Sequence, residues 1–452
     1  MNNNRMKKSL CLLLLMAVLL SGCAAAENLP KPPTFTAAPT AEPTAAPPSE
    51  APAIPETPAP ETPVPELPEE APPSVQPAEE EERENGFFVH FEHSTREAFD
   101  PAEGKEKILS FSWDRVKVLS DEYPAAAEKI TETLAGMEDA WYTGGSVEDG
   151  YDYGYNGMLE IAEDNYGFAA EYGGPMELEA DRTVSVVHAD SDYCAFLIST
   201  YYFTGGVHGN YATEAVCFDS QTGERLTLDS LSSDPEAFRS RLLVEMLRLA
   251  EEDQDGYYSD RLSLTEPGNY ATAFAALLRE GSWYPGRDAF YLFSTLYELG
   301  PYAAGITEFA IPYENLKGLL DERWIPRQTE GQAGLRIEPV TQVSEGSVEI
   351  ADLLVIGEGG ETVLLICEGE LADLEIFSCG IGYEDRFYPD RELYYCGRVK
   401  DAAVQMALLM QGDLPDTMIR YRDGSGEHEL LISLSGEDGR HLLTESPGIP
   451  NG

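Results

Sequence analysis

His208 is the polar side chain best placed for chemistry, with Gly205 and Gly206 before it and Gly209 after it. Glycines free the backbone and let a partner approach closely. An imidazole in such a loop could bind a ligand or exchange a proton near neutral pH. The same ring could instead hydrogen-bond its own loop and hold a hairpin. That reading weighs more, because no second His, Cys or Ser is placed beside it in sequence. Glu251, Asp253, Asp255 and Gly256 resemble the start of a calcium loop, but the position that should carry a bidentate Glu is Leu262. His90 and His93 flank Glu92 at a metal-compatible spacing, near a domain edge. The chain has no H-E-x-x-H, no G-x-x-x-x-G-K-[ST], no G-x-S-x-G and no S-x-x-K. With 81 acidic residues, carboxylate pairs are too common to identify a glycosidase. The expectation is no catalytic set, no metal and no cofactor.

The elements that must position these residues follow from periodicity. Leu109, Phe111 and Trp113 alternate with Ser110, Ser112 and Asp114, as a half-buried strand requires. Pro124 to Trp141 and Gly157 to Tyr172 read as helices. Thr183 to His188, Tyr193 to Phe203 and Tyr211 to Phe218 read as strands, with His208 in the last connection. Asp234-Pro235 opens a helix as N-cap and first helical residue. Phe238, Leu242, Leu243, Met246 and Leu247 form its apolar stripe. A helix over Tyr270 to Arg279, strands at Ala289 to Leu296 and Thr307 to Ile311, and a short helix over Glu314 to Leu320 follow. Without βαβ alternation this is an α+β pattern with an antiparallel sheet. From about Gln328 the pattern is nearly all strand: 335–343, 348–356, 362–367, 374–379, 418–422 and 429–434, with 404–410 either strand or helix. Gly357 to Gly360 and Asp423 to Gly426 look like hairpin turns. A C-terminal all-β, sandwich-like domain is expected over 328–452.

Before Phe87 nothing should fold. Arg5, Lys7 and Lys8 precede an apolar run of 11 residues, Leu10 to Leu20, too short for the roughly 20 residues of a membrane-crossing helix. Between Pro30 and Pro77 there are 17 prolines, which predicts an extended spacer over 23–85. Removing the three basic residues of the leader leaves 27 basic against 81 acidic residues, a net charge of −54. That excludes nucleic acid, which needs a basic face. It is compatible with a cationic partner. Of seven cysteines, Cys194, Cys217, Cys367, Cys379 and Cys396 lie in the folded part, with no C-x-x-C spacing. Cys194 and Cys217 flank a hairpin and could form a disulfide across it, or remain buried thiols.

Two resemblances narrow the class. Leu20-Ser21-Gly22-Cys23 resembles the lipobox of bacterial lipoproteins, which implies cleavage after residue 22, lipidation of Cys23, and a place on the extracytoplasmic face of the cell membrane. Tyr202 to Asn210, an aromatic strand running into G-G-x-H-G, resembles the PdaC/RsiV-like family. So does Tyr297-Glu298-Leu299-Gly300-Pro301-Tyr302-Ala303-Ala304-Gly305, followed by Ile311-Pro312-Tyr313. This α+β ectodomain occurs beside a peptidoglycan deacetylase and in a lysozyme-sensing anti-sigma factor, and the likeness covers roughly residues 100 to 325. The chain lacks the deacetylase's Asp-Asp pair and H-x-x-x-H motif, and starts with a cleavable leader where the anti-sigma factor has an intracellular segment and a membrane helix. Only the extracellular module carries over. It implies an α+β domain over 86–327 that binds lysozyme, peptidoglycan or another envelope ligand. The candidate binding residues are Thr204, Gly205, Gly206, His208, Gly209 and Asn210. The alternatives are an enzyme of unknown class acting on envelope glycans, or a scaffold for another membrane protein.

Overall fold

Hydrogen bonding joins the two halves of the sequence into one sheet. The computed structural model describes residues 87–102, 104–144, 153–172, 176–253, 256–263, 270–327, 329, 331–340, 349–355, 361–381, 387–408, 417–434 and 440–445. The leader, Cys23, the proline-rich stretch, Asp255 and 357–360 lie outside the described residues. In chain order the elements are β1 (Phe88–Phe99), β2 (Lys107–Leu119), α1 (Pro124–Thr143), α2 (Tyr155–Tyr172), β3 (Leu178–Ala189), β4 (Tyr193–Phe203) and β5 (Asn210–Asp219). Then come α3 (Pro235–Glu252), α4 (Tyr257–Arg261), α5 (Tyr270–Ala276), β6 (Trp283–Pro285), β7 (Ala289–Phe293) and β8 (Glu308–Pro312). The C-terminal part holds β9 (Gly334–Pro339), β10 (Glu349–Val355), β11 (Glu361–Glu368), β12 (Glu370–Ile381), β13 (Phe387–Lys400), β14 (Ala402–Leu408), β15 (Thr417–Asp423), β16 (Gly426–Leu434) and β17 (His441–Glu445).

The main sheet has ten strands in the order β17-β16-β15-β12-β13-β1-β2-β3-β4-β5, antiparallel except for β2 against β3. Its β1–β5 end is covered on both faces. Strand side chains alternate, so each face takes every second residue. Cys194, Phe196, Ile198, Val216 and Phe218 pack with Ala127, Ile130 and Leu134 of α1. Tyr193, Ala195, Ala215 and Cys217 face the other way, onto Phe238, Leu242 and Met246 of α3 and the small sheet β6-β7-β8. The helix α3 begins as its sequence dictates, with Asp234 accepting from the Ala237 amide at 3.1 Å and Pro235 in the first turn.

The β15-β12-β13 end faces a second sheet, β10-β14-β11-β9. Leu365 and Cys367, Ala402, Val404 and Met406 meet Leu374, Ile376, Tyr394 and Ile419 in one core, a sandwich-like arrangement. The whole is α+β, with few helices, a large mainly antiparallel sheet and a β-rich C-terminal part.

One alternative resolves, and three expectations change, among them the short helix over Glu314 to Leu320, which is a 3-10 turn at Tyr313–Leu316. Cys194 registers with Phe218 and Cys217 with Ala195, so the two cysteines lie on opposite faces of the sheet and both are free thiols. The strands on either side of Gly357 to Gly360 do not form a hairpin. The apolar strand β14 lies between them, parallel to β10 and antiparallel to β11. The helix at Tyr270 ends at Ala276, short of Arg279.

The main sheet also opens along one seam. β1 pairs with β13 only at Phe88, Val89 and His90, and β3 pairs with β2 only over Leu178 to Arg182. Beyond Arg182 side chains supply acceptors where a neighbouring strand would. The Val184 amide donates to Asp114 at 3.1 Å, the Val186 amide to Glu392 at 3.1 Å, and the Ala189 amide to the Tyr395 hydroxyl at 2.9 Å.

Candidate ligand-binding surface

The loop Thr204 to Gly209 joins β4 to β5, with Tyr202 opposite Asn210 and Tyr201 opposite Tyr211. Two glycines allow its turn: Gly205 and Gly206 have φ of 97° and 104°, a region that side chains rarely enter. Gly209 makes room for the Tyr201 ring, which would have to move for a Cβ that would otherwise lie 2.4 Å from it. The side-chain amide of Asn165 on α2 donates to the Thr204 carbonyl at 3.2 Å and ties the loop's start. Asn210 is exposed at its end, and Val207 at the tip is 99% exposed.

His208 does two things at once. Its Nδ1 lies 2.9 Å from the Gly209 carbonyl oxygen, which can only accept, so Nδ1 carries a proton. Its ring stacks on Tyr302, with centroids 3.8 Å apart and planes 20° from parallel. Tyr302 also meets Tyr211 edge-on at 6.2 Å and Tyr297 at 5.9 Å. The two sequence motifs, almost a hundred residues apart, therefore form one aromatic surface.

The second motif holds Tyr302 by backbone geometry. Tyr297 sits at φ 63°, the left-handed region, and is 51% exposed. Glu298 fixes this corner, accepting from the Thr295 amide at 2.8 Å and pairing with both terminal nitrogens of Arg279 at 2.6 and 2.8 Å. Burial pushes the Glu298 carboxyl up, but Arg279 and the Thr295 amide outweigh it and hold the group below its ordinary value. Leu299 is buried, and Gly300 has no room for a Cβ, which would lie 2.0 Å from the Arg261 carbonyl oxygen. Such strained, over-determined positions cluster at functional sites.

This surface offers flat ring faces and one imidazole with Nε2 unspent. It suits stacking against a ring or an apolar side chain more than bond-breaking chemistry. The other histidines lie apart from it. His93 meets Asp114 at 3.2 Å and His90 packs edge-on against Tyr394. Asp253 caps its own corner, accepting from the amides of Tyr258 at 2.7 Å and Ser259 at 3.0 Å. Among the described residues no cluster of His, Cys, Asp or Glu is arranged to hold a metal ion.

A second polar cluster was not visible in the sequence. Asp373 is fully buried and lies 3.0 Å from His188 Nδ1. Asp373 also accepts from Arg422 Nε at 2.8 Å and from the Tyr395 hydroxyl. On the other side, His188 Nε2 is 3.0 Å from Asp190, a close ion pair with poor hydrogen-bond geometry. Burial alone would lower the His188 pKa, but Asp190 and Asp373 overcome it and raise it to about 9. Asp373, penalised by burial yet facing His188, Arg287 and Arg422, is held well below the ordinary carboxylate range. Arg287 adds a donor to the Val187 carbonyl at 2.9 Å and a pair with Glu375 at 2.8 Å. The partners are far apart in the chain, so no local pattern marks them. The left-handed φ of 50° at Asp373 is a feature of the fold alone.

Residues 234–314 match a family described as a protein of unknown function (DUF3298). This segment forms α3 through β8 and contains the Tyr297 to Gly305 and Ile311 to Tyr313 motifs, in agreement with the PdaC/RsiV-like resemblance. Two solved structures of DUF3298 family proteins are similar to the chain. One, from Bacteroides fragilis, is 15% identical with a TM-score of 0.39, the match covering 53% of this chain and 96% of that one. The other, from Pseudomonas aeruginosa, is 17% identical with a TM-score of 0.35, covering 53% and 98%. No curated protein matches the chain.

Proposed function

We propose, with the DUF3298 domain at residues 234–314 as premise, that the chain is a lipid-anchored binding module of the bacterial cell envelope. Its ligand is lysozyme, peptidoglycan or another envelope component, and it works without catalysis. The stacking of His208 on Tyr302 carries this reading. That contact builds one exposed aromatic surface from the two motifs that resemble the PdaC/RsiV-like family. The leader and Cys23 support the anchor and the extracytoplasmic address. The acidic excess of 81 Asp and Glu over 30 Lys and Arg supports a cationic partner as one option.

Calorimetry of the full chain against lysozyme and against peptidoglycan fragments, at low and high salt, tests it. Binding to lysozyme that weakens with salt supports charge steering. Salt-insensitive binding to glycan, lost in Tyr302→Ala and His208→Ala, supports the aromatic surface. No heat with either ligand refutes lysozyme and peptidoglycan as its ligands. Glycan turnover lost in His208→Ala with binding intact would support the enzyme instead. Cys23→Ala should move the protein from the membrane to the soluble fraction, and an unchanged membrane fraction would refute the anchor.

A further inference from the structure

The seam between β3 and β13 opens into a cleft of about 310 Å³ that the surface at His208 does not use. Glu392 forms part of its wall. One oxygen, Oε2, accepts from the Val186 amide at 3.1 Å, while Oε1 is buried with no hydrogen-bond partner among the described residues. An unpaired buried carboxylate oxygen is costly, on the order of 1–3 kcal/mol or more, so it marks a place where a donor is wanted. Carboxylates outnumber cations around it. Asp114, Glu375, Asp390 and Glu392 line the cleft against Arg391 and Arg420. Both arginines are engaged: Arg391 pairs with Asp181 at 2.8 Å and Arg420 with Glu429 at 2.8 Å. Phe377 and Pro389 add an apolar wall. The volume lies at the small end of ligand pockets, which begin at about 300 Å³.

We propose that this cleft binds an organic cation, an ammonium or guanidinium group on a short apolar stem, received by Oε1 of Glu392. The free oxygen supplies the missing acceptor, Glu392 and Asp390, which pair with no cation among the described residues, supply the charge, and Phe377 and Pro389 supply the apolar wall for the stem. The carboxylates are not arranged to hold a metal ion, which favours a ligand that brings its own N–H donors. The cation could be a free metabolite or a basic side chain of a polypeptide.

Binding should release a proton. Burial, with Glu375 beside it, pushes the Glu392 carboxyl well above the ordinary carboxylate range, and a bound cation pushes it back down. The charged groups around it are Glu375 on β12, Asp114 on β2 with His93 of β1 against it, Arg287 before β7, Asp390 and Arg391 on β13 with Asp181 of β3 against the arginine, and Arg420 on β15. The arginines hold their charge throughout, and burial raises Glu375 and Asp114 as well, so a released proton belongs to this carboxyl cluster rather than to Glu392 alone.

The test is calorimetry of the full chain at pH 7 and moderate salt, with agmatine and with the end-blocked tripeptide Ala-Arg-Ala, in phosphate and in Tris. Saturable binding is expected, with a heat that differs between the buffers by the ionisation enthalpy of the released proton. Agmatine binding identifies a free cation, and binding of the peptide alone identifies a polypeptide source. Ser185→Trp, at an exposed position on β3 lining the cleft, should weaken binding at least tenfold while leaving the buried pairs intact. Glu392→Gln keeps an acceptor for Val186 and should do the same. No binding by either probe, or unchanged binding in Ser185→Trp, overturns the site. Unchanged binding in Glu392→Gln overturns the role of Glu392, and binding without proton release overturns the proton coupling of the cluster.

Discussion

Replacing His188 by Leu should remove a pH dependence of stability that the folded chain owes to one buried ring. The His188 pKa rises from 6.5 to about 9 on folding. At about 1.4 kcal/mol per unit this shift is worth on the order of 3 kcal/mol. Because the folded value lies above the unfolded one, the contribution is fully present below pH 6.5 and is lost as pH rises through about 9. Within that window the unfolded chain has released the proton and the folded chain keeps it. Stability therefore falls by about 1.4 kcal/mol for each pH unit.

The ring is buried, so solvent screens little of this effect. The variant leaves Asp373 paired with Arg422, Arg287 and Tyr395, and the strand pairing around it should persist. Urea unfolding of wild type and His188→Leu at pH 6, 7.5 and 9 is the assay. The stability difference should be about 3 kcal/mol at pH 6 and shrink steadily toward pH 9. A difference that stays constant across the three pH values would refute the charged-ring account. A ring signal titrating near pH 6.5 by NMR would refute it independently.

Three further outcomes follow from the packing. Gly397→Ala would place a Cβ 1.9 Å from the Ala189 carbonyl oxygen, where backbone faces backbone; it should cost about 3 kcal/mol or more, read as a lowered melting temperature, and a neutral result would mean that β13 and β3 can separate without loss. Gly209→Ala meets only the movable Tyr201 ring, so about 1–3 kcal/mol is expected, together with loss of the His208–Tyr302 stacking in ring-current shifts. Cys194 and Cys217, whose thiols burial pushes well above their ordinary pKa, should resist thiol reagents in the native state and leave the melting temperature unchanged by reductant; rapid labelling at neutral pH would contradict that placement.

Legibility in the sequence tracked how locally each feature is determined. Strand β4 over Tyr193–Phe203 was legible to the residue, because a nearly continuous apolar and aromatic run is bounded by a turn at Asp190-Ser191-Asp192. The start of α3 was legible because Asp234 and Pro235 are local capping chemistry. Strand β13 was not legible, its first part least of all. There Asp390, Arg391 and Glu392 break the apolar pattern, and the charges are tolerated because Asp181, Asp114 and the Val186 amide satisfy them from distant strands. Strand β1 was missed for a related reason. Its middle and end are largely exposed, so no buried face shows in its alternation. The aromatic surface was half legible. Both motifs could be read, but their stacking depends on the register of β4 against β5 and on the left-handed corner at Tyr297.

These misses share a cause that bears on how the chain is organised. Composition changes near Gln328, yet the hydrogen bonding crosses that point: Phe88, Val89 and His90 pair with Cys396, Tyr395 and Tyr394. The seam beside them is closed by side chains that the C-terminal part supplies to β3, Glu392 to Val186 and Tyr395 to Ala189. Arg287, from the DUF3298 segment, reaches Glu375 on β12. A chain ending at Gln328 would leave these amides and charges without partners, each buried polar group costing on the order of 1–3 kcal/mol. Three such losses together rival the whole stability of an ordinary domain, about 5–15 kcal/mol. The C-terminal strands thus reach the DUF3298 segment through Arg287, and β3 through Glu392 and Tyr395.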